Sequence, residues 1–472
     1  MSLKNIKKIY MIGIKGVGMT MLAQFLSAKG YEISGSDVNE VFMTDEVLLD
    51  SGIKFFNGFS EKNIPANIDL IIHSTAYNEN NNEELALVKK QNKKIMTYAE
   101  AMGAVFQDYF GIAVCGSHGK TTTTAWLAYV LKMTNQGPNA MIGARVPQLD
   151  GASIIGPSNY LIIEADEYQN KLKLFSPRAV LLNNIDYDHP DFFPTHNDYN
   201  QVFVEFIKKI PKSGWLVANF DDPIIRKIAP VNTLAKVISY AIDESADYVA
   251  YDIQQMGDRQ YFKVKIGADN FDAEDDDVLL NTELGSFSIQ LSGRHSIYNA
   301  LAVIASAIEL GVDLVDIRAY LGEFKGTARR METMGKYNGA LILDDYAHHP
   351  TEIKATLAGA RQKYGNKKIR VVFHPHTFTR TKALLDDFAK SFDDADEVIV
   401  LDIYGSAREA QGGVHSKDLV EKLEVRSKKL EVKYIATQLE CEKYLRDKIM
   451  RDDIIILMGA GDVFRIGEKL VK

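Results

Sequence analysis

The chain is predicted to be an α/β protein of three domains, and three observations carry that prediction. Short apolar runs alternate with helical patterns nearly throughout, the arrangement that parallel sheets with crossover helices require. Glycine-rich turns at 13–18 and 116–119 each follow an apolar run and open a helical pattern. The length of 472 residues exceeds what one core supports, since single cores stop growing at about 250–300 residues.

In the first unit, residues 1–107, strands are expected at 8–14, 31–34 and 70–74, with a helix at 19–29. A strand, a glycine turn and a helix in that order make this unit Rossmann-like. The second unit, 108–325, opens with an apolar run at 112–115 and has two more at 159–163 and 179–183. Continuous apolar runs suit strands covered on both faces. Within 245–290 the pattern changes to alternation, as in Tyr261-Phe262-Lys263-Val264-Lys265-Ile266 and Phe287-Ser288-Ile289-Gln290-Leu291. This predicts a small antiparallel sheet beside the mainly parallel one, with the acidic run 272–277 as a solvated loop and a helix at 297–310. The third unit, 326–472, has buried-strand runs at 341–344, 370–373, 397–401 and 454–457, and is again Rossmann-like.

Composition narrows the function. Apolar residues make up 46% and charged residues 25%, a balance typical of globular proteins. A net charge of −8 disfavours general nucleic-acid binding, because a phosphate backbone wants a basic face. Two cysteines cannot form a disulfide framework, and Cys115 falls in an expected buried strand. No apolar run reaches 18 residues and no signal peptide opens the chain, so a cytoplasmic protein without membrane insertion is expected.

The segment Gly116-Ser117-His118-Gly119-Lys120-Thr121-Thr122 stands between a strand and a helix. Glycines let the backbone fold round an anion, and the first helical N–H groups and helix dipole point at it. Lys120 would reach the outer phosphates of a nucleoside triphosphate, and the Thr121 hydroxyl would hold Mg²⁺. Val114 replaces the first glycine of the usual pattern, so the match is to its second half. A central P-loop ATPase is the expected reading. The earlier turn, Gly13-Ile14-Lys15-Gly16-Val17-Gly18-Met19, has Lys15 where a nicotinamide-dinucleotide fingerprint needs its second glycine. A different nucleotide diphosphate is favoured there, with Lys15 as a cation beside it.

Carboxylates follow two strands: Glu164, Asp166 and Glu167 after one, Asp186 and Asp188 with His189 after the other. Glu164 suits Mg²⁺, which prefers oxygen ligands, and His189 is a less usual one. At least two of Asp166, Glu167, Asp186 and Asp188 are expected to be solvated loop groups. In the third unit, His348, His349, His374 and His376 lie in two strand-end clusters, the second followed by Arg380. No cysteine joins them, so zinc is disfavoured against a polar pocket in which Arg380 grips a carboxylate substrate.

Together these blocks resemble the Mur ligases of peptidoglycan synthesis, almost from end to end. The resemblance rests on Gly-Ile-Lys-Gly-Val-Gly-Met at 13–19, Gly-Ser-His-Gly-Lys-Thr-Thr-Thr at 116–123 and Glu-Ala-Asp-Glu at 164–167. It continues with Asn-Ile-Asp-Tyr-Asp-His at 184–189, His-Ser-Ile-Tyr-Asn-Ala at 295–300 and Arg329-Arg330. Asp-Asp-Tyr-Ala-His-His-Pro-Thr-Glu at 344–352, Pro-His-Thr-Phe-Thr-Arg-Thr at 375–381 and Gly-Ala-Gly-Asp at 459–462 complete it. The resemblance implies that ATP phosphorylates the lactoyl carboxylate of UDP-N-acetylmuramate, and that the amine of L-alanine then displaces phosphate. It implies one Mg²⁺ on Thr121 and Glu164, a second on His189, and the adenine near His295 and Asn299. Arg330 and Asp345 would face the nucleotide, and His348, His376 and Arg380 would line the alanine pocket. Lys120, His189, His348 and Arg380 are thereby the implied catalytic groups.

In the first domain, Gly13, Lys15, Gly16, Val17, Gly18 and Met19 would hold the UDP diphosphate, with Ser36, Asp37, Ser74 and Thr75 towards the uridine. Tyr168 departs from the family's usual serine, and with Asn183 to Asp186 and Arg329 to Glu332 it is similar to the branch that adds a whole tripeptide, L-Ala-γ-D-Glu-meso-diaminopimelate. Pro375-His376, Thr379-Arg380-Thr381 and the final Gly-Ala-Gly-Asp favour alanine. The segment 201–204 offers no lysine for carbamylation. A monomer or homodimer is expected. A nucleotide-gated regulatory module is the reading from another class, and the third-unit histidines argue against it.

Overall fold

Lys8–Ile12 is apolar at nearly every position because helices cover both faces of the sheet in which it is central. The computed structural model describes residues 3–267, 283–405 and 411–472, so the acidic run 272–277 lies outside the described residues. The first sheet is parallel and runs Lys54–Asn57, Glu32–Asp37, Lys8–Ile12, Leu70–His73, Ile95–Thr97. Its strand order reverses between Lys8–Ile12 and Leu70–His73, and the glycine turn leaves the sheet at that switch point. Ligands of open α/β sheets bind in such crevices. The helix Val17–Ala28 follows directly.

Among the described residues the central sheet has ten strands, with Phe110–Cys115 between Ala179–Leu182 and Tyr160–Glu164. The alternating segments form antiparallel strands at Tyr248–Met256, Arg259–Ile266 and Glu283–Ile289. They are joined to the parallel part edge to edge, through Tyr240–Tyr248 and Ala241–Val249, so one mixed sheet replaces two. The helix Lys120–Met133 packs on Arg294–Glu309, and both present nearly all their apolar residues to one core. Trp126 stacks on Phe324 with ring centres 5.1 Å apart and donates to the Leu321 carbonyl, which ties the phosphate-loop helix to the end of the domain.

The third sheet runs Glu332–Tyr337, Ala340–Asp345, Ile454–Met458, Ile369–Phe373, Glu397–Val400, Glu431–Tyr434. Only the first of these pairs antiparallel; the rest are parallel and carry cores on both faces. Arg370, inside this sheet, is neutralised by Asp453 at 2.8 Å and by Glu397. Among the described residues no helix is long and apolar enough to cross a membrane.

Candidate active site

The turn after Phe110–Cys115 requires glycine at two places. Gly116 has φ +123° and Gly119 has φ +78°; an added Cβ would stand 2.7 Å from the Asn184 carbonyl oxygen and 2.6 Å from Asn299 Oδ1, respectively. The helix starts at Lys120 with no side-chain cap, so its first N–H groups are available to an anion. Asn184 braces the turn by accepting from the His118 N–H at 2.8 Å and donating to the His118 carbonyl at 3.1 Å. Lys120 Nζ lies under the turn, donating to the Gly116 and Ser117 carbonyls at 2.6 and 3.1 Å and to Glu167 at 2.9 Å. Burial works against its charge, but Glu167, Asp166 and Glu164 outweigh that and raise its pKa. A turn with glycine at both ends, a helix N-terminus and an ammonium beneath it fit a triphosphate.

Glu164 ends its strand beside Thr121, which hydrogen-bonds to it, and accepts the Gly143 N–H at 3.0 Å. Burial raises the Glu164 pKa, and Lys120 opposes this. Asp166, Glu167 and His189 form a second locus, with one potential ligand atom from each lying within 4.8 Å of the others. His189 has φ +58°, and its ring faces Tyr168 at 4.4 Å. Thr121 and Glu164 therefore suit one divalent cation, and His189 a second that the sequence reading did not complete with Asp166 and Glu167. No signal separated these carboxylates from neighbouring ones, because all end strands in the same way. Of these four, at least two of which were expected to be solvated, Asp166 and Asp186 keep side chains 42% and 37% exposed. Glu167 and Asp188 are buried, while Asp166 and Asp186 are part-exposed but paired with Lys171 and His118.

The N-terminal turn is equally tight. A Cβ on Gly13 (φ +83°) would lie 2.9 Å from Ser74 Cβ, and one on Gly18 would lie 2.9 Å from the Tyr98 hydroxyl. Lys15 contradicts its expectation. Its ammonium is turned inward, onto Asp45 at 3.0 Å and the Val38 and Glu40 carbonyls at 3.1 and 2.8 Å. With its side chain only 1% exposed and enclosed by these partners, the ammonium is not presented to a diphosphate. Asp37 accepts from the Lys15 N–H at 2.7 Å and the Tyr77 hydroxyl at 3.0 Å, while the Ser36 hydroxyl donates to Glu84. Met19 is buried in the core, which leaves its main chain for a ligand; Val17, Thr75 and part of Ser74 are exposed.

From the third domain, Arg330 lies 3.4 Å from Glu352 and packs over Tyr346. His295 is exposed in the first turn of Arg294–Glu309, where crowding by neighbouring protein, and then the Arg330 charge, push its imidazole down to about 4. Burial pushes His348 down to about 3, and its Nδ1 lies 2.9 Å from the Tyr346 carbonyl. The His376 ring stacks on Tyr404, a contact unforeseen in the sequence, and lies 6.1 Å from the ring of His348. Two expectations are corrected here. The Arg380 fork grips Asp188 of the central domain at 3.0 and 3.2 Å, so it does not stand open to a substrate carboxylate. Asp345 is buried and accepts the Met331 and Ala347 N–H groups at 2.8 and 2.9 Å, so it shapes the backbone rather than facing a nucleotide. His348, His374 and His376 belong to neither of the metal-competent groups found among the described residues, which are Asp166 with Glu167 and His189, and His118 with Asp186 and His349.

Comparison with known proteins identifies the family. Residues 8–110 match the model described as Mur ligase family, catalytic domain; 114–307 match the Mur ligase middle domain; and 329–461 match the Mur ligase, glutamate ligase domain. A UDP-N-acetylmuramate–L-alanine ligase of Desulfitobacterium hafniense is 37% identical over 98% of this chain and 99% of its own. One from Alkaliphilus metalliredigens is 38% identical over 99% and 97%. The crystal structure of a UDP-N-acetylmuramate-alanine ligase from Thermotoga maritima covers 98% of both chains with TM-score 0.80 at 25% identity. A murein peptide ligase from Psychrobacter arcticus covers the same shares with TM-score 0.71 at 24% identity, a likeness of fold. With all three of its domains matched in order, and relatives above 30% identity spanning nearly its whole length, the chain belongs to the Mur ligase family.

Proposed function

We propose that this chain is an ATP-dependent ligase that joins L-alanine to the lactoyl carboxylate of UDP-N-acetylmuramate. The observation that carries the reading is full-length similarity, at 37–38% identity, to proteins named for that reaction. The site supports it chemically. A carboxylate at neutral pH is a poor electrophile, and transfer of the terminal phosphoryl group of ATP converts it to an acyl phosphate. Attack by the amine then forms the C–N bond, and the C–O bond to phosphate breaks. Lys120 would leave the Gly116 and Ser117 carbonyls to neutralise charge on the outer phosphates, and the Gly116–Gly119 turn would orient them. Thr121 with Glu164, and His189 with Asp166 and Glu167, would hold Mg²⁺, which when bound neutralises phosphate oxygens. On the amine side, His348 is a neutral ring whose Nδ1–H donates to the Tyr346 carbonyl, so Nε2 is left as an acceptor. An uncharged acceptor there orients an amine without repelling it.

The test is phosphate release from ATP with UDP-N-acetylmuramate and each amine in turn. Release that requires both the sugar and L-alanine is expected. Release with L-Ala-γ-D-Glu-meso-diaminopimelate in place of alanine would transfer the chain to the tripeptide-adding branch.

A further inference from the structure

A phosphate turn works through its main chain, and the His118 main chain is already braced by Asn184. Its side chain does something else. The imidazole leaves the turn and reaches the third domain, with its side chain only 13% exposed. Nε2 lies 2.9 Å from Asp186 Oδ2, on the loop after Ala179–Leu182. Nδ1 lies 3.5 Å from Glu352 Oε1, in the first turn of the helix Pro350–Tyr364. The ring centre is 4.8 Å from that of His349. Each carboxylate also has a partner in the third domain: Thr351 Oγ1 donates to Asp186 at 2.5 Å, and the His348 N–H to Glu352 at 3.1 Å. A ring with both nitrogens directed at carboxylates of two domains fixes their separation and relative angle.

We propose that His118 is a positioning residue for the amide-forming reaction: it holds the third domain in register over the nucleotide turn, so that His348 and His376 meet the phosphate end of the site. The inference rests on the ligase reading given above. Without this side chain the turn keeps its glycines, its Asn184 brace and Lys120, so nucleotide still binds. What is lost is the alignment between phosphate turn and amine pocket, and misplacement by about 1 Å can cost about a hundredfold in rate.

The experiment compares wild type with His118→Asn, Glu352→Gln, Thr351→Val and the His118→Asn/Glu352→Gln pair. A fluorescent ADP analogue reports nucleotide affinity, phosphate release gives kcat and the KM for L-alanine, and small-angle scattering with ADP reports domain closure. Affinity for the analogue within about threefold of wild type is expected for every variant, with kcat down at least about thirtyfold in His118→Asn and a raised KM for L-alanine. The double variant should be no worse than the worse single one, because both remove one bridge. Loss of analogue affinity by the same factor as kcat would overturn the proposal, as would independent, multiplying losses. Thr351→Val leaves the turn untouched and should show the same split in milder form, which keeps the proposal testable if His118→Asn fails to fold. A wild type that releases no phosphate with any amine would defeat the ligase reading, whereas the analogue titration and scattering still decide whether His118 registers the domains.

Discussion

Lys15 occupies a turn position that favours glycine, and its side chain escapes the turn by burying its ammonium against Asp45 and two carbonyls. The ammonium also lies 5.9 Å from the Phe42 ring centre and 5.4 Å from that of Phe55, and removing it strips Asp45, only 10% exposed, of the one cation that pairs with it among the described residues. Lys15→Met is therefore expected to destabilise the first domain by about 3–5 kcal/mol, read as a lowered urea midpoint, and adding Asp45→Asn should recover part of the loss. An unchanged midpoint would mean that solvent already screens the pair. The same residue marks the limit of sequence reading at this scale. That a lysine stands in the turn is plain, but its direction depends on Asp45, which no turn pattern includes. Arg380 repeats the lesson, because the carboxylate its fork meets lies 192 residues earlier in the chain. Residue types at strand ends were legible; which of them pair across domains was not.

Elements were more legible than pairings, for a physical reason. Strands covered on both faces need apolar residues at every position, so 179–183 and 454–457 foretell Ala179–Leu182 and Ile454–Met458. Edge strands carry no such requirement. Glu332–Tyr337, with only partly buried and exposed residues, and Gly151–Ile154 went unforeseen. The helix Pro350–Tyr364 shows how an element can report pH. Its first turn presents Thr351 and Glu352, with the capping His349, to His118 and Asp186. Burial opposes charge on His118, but hydrogen bonds with Asp186 and Glu352 outweigh it and hold the imidazole up to about 9 against an ordinary 6.5. Its pKa is raised in the folded state, so the stabilisation is fully present below pH 6.5 and is lost as pH rises through about 9. Thermal unfolding of wild type should fall between those limits relative to His118→Asn, whose curve should be flatter. Parallel curves would show that the helix docks without the imidazolium.

At the scale of the molecule, the central and third domains are joined by more than the connection through 324–330. Arg380 and Asp188 form an ion pair whose side chains are each only 8% exposed, and they come from different domains. Burial opposes ionisation of Asp188, but the Arg380 guanidinium outweighs it and holds the carboxyl well below its ordinary range. Breaking such a pair by removing one partner is costly, about 3–5 kcal/mol, because the other charge stays buried without compensation. Relief comes most cheaply if the domains separate and water reaches the orphaned guanidinium, since each domain keeps its own sheet and core. Asp188→Asn should therefore loosen docking rather than unfold the chain. Lys325 is exposed, and Arg329 and Arg330 follow it in the connection, where Arg329 is held by Asp344 and by the Gly459 carbonyl. Trypsin should cut the Asp188→Asn variant in this stretch at least about tenfold faster than wild type, releasing a third-domain fragment that stays folded, as judged by fragment mass and circular dichroism. Arg380→Met should give the same fragment by the converse route, leaving Asp188 unpaired. Equal cutting rates in all three proteins would place the docking energy elsewhere than in this pair.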